Sequence, residues 1–150
     1  MQYLKTGEYK PQPSVTTIAN AMDVGDPSNF ARILDLYDNH IDEIRKDISA
    51  YSFDDTQIKE CIKRVYVEAD YLLDPHGACG YLALEEGLKE GETGLFLETA
   101  HPAKFLETVE KAIGRSIDIP ETLQHFMSGK KETVPMSKLF ADFKKWLMNK

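Results

Sequence analysis

A short apolar run that must give way almost at once to a proline leaves few local folds open, and the stretch Gly94–Phe105, GLFLETAHPAKF, is such a case. Gly94, Leu95, Phe96 and Leu97 make a run of the length and character of a fully buried strand, and Pro102 stands where a helix would begin. The spacing therefore predicts a strand-loop-helix junction. Thr99, His101 and Lys104 sit at the carboxyl end of the expected strand, which is where open α/β sheets place their ligands. The fold class expected is α/β, short strands covered by helices.

Composition narrows the partners. The chain has 150 residues and a net charge of −7, and its only Lys-Lys pairs are Lys130-Lys131 and Lys144-Lys145, so no basic face points to nucleic acid or a membrane surface. Cys61 and Cys79 fall inside helical patterns without a CxxC or His/Cys spacing and read as reduced thiols rather than a disulfide or metal site. No apolar run approaches the ~18 residues of a membrane span, and Met1–Lys5 lacks the shape of a signal peptide. A cytosolic protein is expected.

Taken in order, residues 1–14 read as an extended connector, because Gly7, Pro11 and Pro13 interrupt any regular period. Residues 15–22 form a possible strand before the turn-rich Asp23–Asn29. Ser28 then caps one long helix whose apolar positions run from Phe30 through Ile33, Leu34, Tyr37, Ile41 and Ile44 to Ile48. A short strand over 48–53 precedes Asp54, which pairs with Gln57 as a capping box for a helix to Ala69, with Ile58, Cys61, Ile62 and Val65 on its apolar side. Tyr71–Leu73 is another brief apolar run, stopped by Asp74-Pro75, after which His76 opens a small-residue helix through Leu88. Gly77, Ala78 and Gly80 in that helix make room for a neighbour or a ligand. The helix begun at Pro102 ends at Gly114, Pro120 starts a short helix, and a last helix after Ser137 carries Leu139, Phe140, Phe143, Trp146 and Leu147 on one side.

The residues alone do not name a reaction. Thr99 is either a β-branched strand residue or a hydroxyl offered to a ligand heteroatom. His76 and His101 each stand beside a proline at a loop-helix boundary, as caps or as site residues, and no third ligand completes a metal set. Lys104 lies in the first helical turn, where the macrodipole favours anions, so a carboxylate or phosphate close by would relieve it. Asp23 and Asp26 flank Gly25 as turn formers.

Three segments carry a resemblance. AMDVGDPSNF from Ala21, LDPHGA from Leu73 and TAHPAKF from Thr99 resemble, in order and spacing, landmark segments of the threonine synthase family. The resemblance spans essentially the whole chain but only the C-terminal third or so of that family's enzymes, which are similar to the fold-type-II pyridoxal-phosphate (PLP) enzymes related to tryptophan synthase β. It implies that residues 15–115 are part of the α/β PLP-binding large domain and 116–150 a helical C-terminal extension. It also implies conversion of O-phospho-L-homoserine and water to L-threonine and phosphate, with PLP as cofactor and electron sink.

The same resemblance distributes roles. The lysine that forms the Schiff base and the Gly/Asn-rich loop that holds the cofactor phosphate belong upstream of Met1; Lys104 has no counterpart of the Schiff-base motif around it, so no catalytic residue is expected here. Thr99 falls where related enzymes set a Ser or Thr hydroxyl against the pyridine nitrogen, a neutral partner that leaves that nitrogen less fully protonated than a carboxylate would. Ala21, Asp23, His76 and His101 fall in the segments that line the ring's face and far side. Relatives carry Thr or Ala at the place of Gly77, so no side-chain role is expected of it. A chain cut from a larger sheet is also expected to self-associate through uncovered apolar surface. The alternative from a different class is a non-catalytic α/β protein-interaction domain, for which the apolar face of the last helix is the sign.

Overall fold

The computed structural model describes residues 1–20 and 24–149, which divide into two compact units, residues 1–118 and 119–150. All regular elements among the described residues are helical. In the first unit these are α1 (Gln2–Thr6), α2 (Phe30–Leu36), α3 (Ile41–Asp47), α4 (Asp55–Ala69), α5 (Pro75–Gly87), a 3-10 turn (Pro102–Phe105) and α6 (Leu106–Ile113). The second unit holds α7 (Glu121–Met127) and α8 (Phe140–Met148).

The first unit is organised around α4. Its start is the expected capping box: Asp54 Oδ1 accepts the amides of Thr56 and Gln57 at 2.8 and 2.9 Å, and Gln57 Oε1 accepts the Asp54 amide at 2.9 Å. Such caps are worth about 0.5–2 kcal/mol. Ile58, Cys61, Ile62 and Val65 leave α4 on one face and are buried with Leu73, Ala78 of α5 and Val109 of α6. The Cys61 thiol lies 3.8 Å from the Ala78 carbonyl oxygen, and burial pushes its pKa up to about 11, so it remains a protonated core thiol. Arg64 closes the outer edge of α4 on α5 with a bidentate pair to Glu85 at 2.9 and 2.6 Å. Both cysteines are free.

The expected strands do not form. Residues 15–20, 48–53, 71–73 and 94–99 carry no strand, and the α/β expectation is corrected to a helical body for the described residues. The reason is physical: a strand is a pairing relation, and a segment without a neighbour to share its ladder is not one, whatever its side chains favour. The segment 94–99 nonetheless keeps the face pattern of a strand. Leu95, Leu97 and Thr99 are exposed while Phe96 and Glu98 turn half-buried toward the helices. Phe96 meets Tyr81 of α5 edge-on at 5.5 Å.

Two further expectations change. The single helix from Phe30 to Ile48 is broken into α2 and α3 by Asp38 and Asn39, which take left-handed backbone at φ 47° and 60°. Asp and Asn tolerate that conformation better than other side chains, so an apolar period that runs straight through them does not guarantee one helix. The N-cap of α2 is Asn29 rather than Ser28, and its side chain makes no capping bond. The N-terminal connector is not extended throughout, since residues 2–6 wind into α1, which Arg45 of α3 binds through the Leu4 carbonyl at 2.9 Å. Beyond it Tyr9 stacks on Phe30 at 4.5 Å and donates to Asp26 at 2.7 Å.

In the second unit α8 exposes Phe140, Phe143, Leu147 and Met148. The 6.3 Å stacking of Phe143 on Trp146 is internal to that helix. No helix among the described residues is long and apolar enough to cross a membrane.

Candidate cofactor site

The start of α5 and the segment after Leu97 meet around one buried carboxylate. Asp74 caps α5, with Pro75 at the first helical position where its missing amide costs nothing. Asp74 is wholly buried, and its Oδ1 accepts the His76 amide at 2.7 Å and faces His76 Nδ1 at 3.2 Å. His76 is thereby held by backbone and ring at once, and its ring packs against Phe105 at 5.1 Å between centroids. Phe105 belongs to the 3-10 turn, so His76 bridges α5 to the TAHPAKF segment.

That segment is shaped by its own histidine. His101 Nδ1 accepts the Ala103 amide at 3.1 Å and caps the turn that Pro102 begins, while Pro102 and Ala103 are buried. The chain then runs into α6 and stops at Gly114, whose φ of 74° suits a residue without a Cβ. His101 itself and Thr99 remain exposed, as does Lys104, whose Nζ lies 5.8 Å from the centre of the Phe105 ring. The hydroxyl of Thr99 shares the outward face of Leu95 and Leu97, whose exposures of 80% and 72% mark that face as uncovered.

Of the residues expected at the cofactor, then, the structure brings His76 into contact with the turn that His101 caps, and sets Thr99 on the open side of the same segment. Ala21 and Asp23 lie outside the described residues. Glu98 was not foreseen. Its Oε1 accepts the Asp74 amide at 2.9 Å, and a Cβ built on Gly77 would overlap its carboxylate. The room expected around Gly77 is filled by this neighbour. The available signal was parity: Glu98 follows Phe96 on the inward side of an alternating segment.

Known proteins bear on this geometry. The family model described as threonine synthase, C-terminal, matches residues 77–145. The threonine synthase of Haemophilus influenzae is 40% identical over 122 residues, covering 81% of this chain and 28% of that protein. That of Serratia marcescens is 36% identical over 149 residues, covering 98% of this chain and 34% of that protein. The crystal structure of threonine synthase from Escherichia coli superposes with a TM-score of 0.85 at 34% identity, over 99% of this chain and 34% of that one. A PLP-bound threonine synthase from Brucella melitensis, at 22% identity and a TM-score of 0.71 over 99% of this chain and 37% of that one, shares the fold. The chain thus spans about a third of the length of the relatives it matches. The interaction-domain alternative finds no support in these matches. Sequence and fold together place this chain in the threonine synthase family, as the C-terminal portion of its members.

Proposed function

We propose that these residues form the C-terminal part of a threonine synthase that converts O-phospho-L-homoserine and water to L-threonine and phosphate, with PLP as cofactor. The observation that carries the reading is the superposition on the Escherichia coli enzyme over nearly the whole chain, with Thr99, His101 and Pro102 standing together at the end of an uncovered segment.

The residues present fit one end of the cofactor. An exposed hydroxyl is the right chemistry for a pyridine nitrogen, able to donate to it or accept from it. His76 and His101 border the same region, each with one ring nitrogen already committed to structure, Nδ1 of His76 to Asp74 and Nδ1 of His101 to Ala103. Ala21 and Asp23 are assigned to the cofactor by the family resemblance alone. When bound, the cofactor supplies an electron sink. The chain's own part is to hold the ring from one side: Thr99 fixes the nitrogen, Asp74 fixes His76, and Pro102 with the His101 cap fixes the turn. The cofactor's phosphate and carbonyl ends are assigned to residues of the remaining two-thirds of the enzyme.

The test is a chimera in which this chain replaces the matching C-terminal segment of the Haemophilus influenzae enzyme. With PLP and O-phospho-L-homoserine the chimera is expected to release threonine and phosphate, whereas the 150-residue chain alone releases neither. Turnover by the chain alone, or a folded, PLP-loaded chimera that makes no threonine, overturns the reading. The same reading assigns the face of Leu95 and Leu97 to the rest of the enzyme, and on its own the chain is expected to self-associate through that face. Light scattering should show dimers or larger species that Leu95→Lys with Leu97→Lys disperses; a monomer at all concentrations contradicts this.

A further inference from the structure

The two acidic side chains at the start of α5 leave their hydrogen bonding unfinished. Asp74 Oδ1 is occupied by His76, and Glu98 Oε1 by the Asp74 amide. One oxygen remains on each, Asp74 Oδ2 and Glu98 Oε2, both buried without a donor. The 2.9 Å bond from the Asp74 amide to Glu98 Oε1 brings the Glu98 carboxyl up against Asp74, and Gly77 lines the same space. Two bare carboxylates buried side by side would suffer both mutual repulsion and unmet acceptors, and a proton between them removes both penalties. Gly77 makes the arrangement possible, because any side chain there would displace the Glu98 carboxyl.

We propose that Asp74 and Glu98 share a single proton between Oδ2 and Oε2, and that this acid-carboxylate pair is the fastener holding the Thr99–His101 segment against the His76 end of α5. Glu98 is the member that carries the proton. Burial first, and then the acceptor offered by Asp74, push Glu98 up to about 7. Burial also pulls Asp74 upward, but the hydrogen bonds from Glu98, from the His76 backbone and ring and from the Gly77 backbone outweigh it and hold Asp74 below its ordinary value.

The groups around the pair reinforce the assignment. From α5 come His76, the one potential cation on it, and Cys79, whose thiol burial and then the Asp74 charge push upward. Tyr81 of α5 and Tyr71 share a groove with Glu98, to which α4 contributes only the uncharged Val65 and Ala69. On the far side of His76 stand Phe105 and, over its ring, Lys104. Because Glu98 is raised in the folded state, the stability it lends is full below its unfolded value near 4.5 and is lost as pH rises through about 7. Asp74, lowered, acts at the acid end: its contribution is present above 3.8 and is lost as pH falls below it.

The experiment is a titration of side-chain carboxyl carbons by NMR in the 150-residue chain, with backbone amides followed in parallel. Glu98 is expected to titrate near 7, apart from the exposed glutamates, and the Thr99 and His101 amides to move with the same midpoint. The step must persist in His76→Asn, which separates it from imidazole titration. Glu98→Gln, which keeps an acceptor for the Asp74 amide and a donor for Oδ2, should hold the amides in their low-pH positions at every pH, whereas Glu98→Ala should not. A Glu98 carboxyl that titrates with the surface glutamates overturns the shared proton, and amides that ignore its titration overturn the fastener; wild-type protein alone decides both if a variant fails to fold. The value of Thr99 and His101 to a cofactor rests on the threonine synthase reading, but the shared proton does not, so the chimera can fail while this titration succeeds, and the reverse.

Discussion

Ile62→Ala is expected to lower the stability of the first unit by about 2–5 kcal/mol, the usual range for emptying a packed aliphatic site. Ile62 is fully buried at the centre of α4, where Ile58, Val65, Leu73, Ala78 and Val109 surround it and leave little freedom to collapse into the space. Whole domains are stable by only about 5–15 kcal/mol, so a body that makes up about a third of its relatives' length loses much of its margin in this one change. Val67→Ala, on the exposed side of α4, should fall within about 0.5 kcal/mol of the parent. Urea denaturation followed by far-ultraviolet circular dichroism measures both. The single tryptophan, Trp146, lies in the second unit and would report the wrong transition. Equal midpoints for Ile62→Ala and the parent would mean that α4 is not the centre of the core.

What could be read in the sequence was what is decided within a turn or two of helix. The Asp54–Gln57 capping box, the apolar face of α4, the proline starts at Pro102 and near Pro120, and the Gly114 stop all depend on neighbours a few residues away. The break at Asp38-Asn39 was hidden because the apolar period is unperturbed across it; backbone handedness is not written in hydrophobicity. The strands failed for a different reason. The side chains of 94–99 alternate as those of a strand do, yet pairing needs a partner segment, and the described residues supply none.

The site divides along the same line. The helix-start positions of His76 and His101 were legible because each is fixed within its own turn, through Asp74 and through Ala103. Glu98 was not, since a glutamate beside a threonine reads as surface, and its burial depends on the absence of a side chain at Gly77, a residue distant in the chain. Thr99 is an intermediate case: its face follows from parity, but what covers that face cannot be read from these residues alone.

Thr99→Val is therefore the decisive substitution for the cofactor assignment, made in the PLP-dependent chimera. Valine keeps the β-branched shape of threonine, and the exposed position of Thr99 means the change should leave the denaturation midpoint of the chain where it is. If the hydroxyl meets the pyridine nitrogen, its removal leaves that nitrogen unpaired in a closed site at a cost of about 1–3 kcal/mol, a factor of roughly five to a hundred in binding or rate. Thr99→Ser restores the hydroxyl without the methyl group and should recover most of the loss, which a packing role would not allow. PLP affinity by absorbance titration and threonine release at saturating substrate measure the two halves separately. Wild-type values for both in Thr99→Val would remove Thr99 from the ring nitrogen, and the cofactor's contact with this segment would then have to run through His101, the one other exposed polar side chain before the buried Pro102-Ala103 turn.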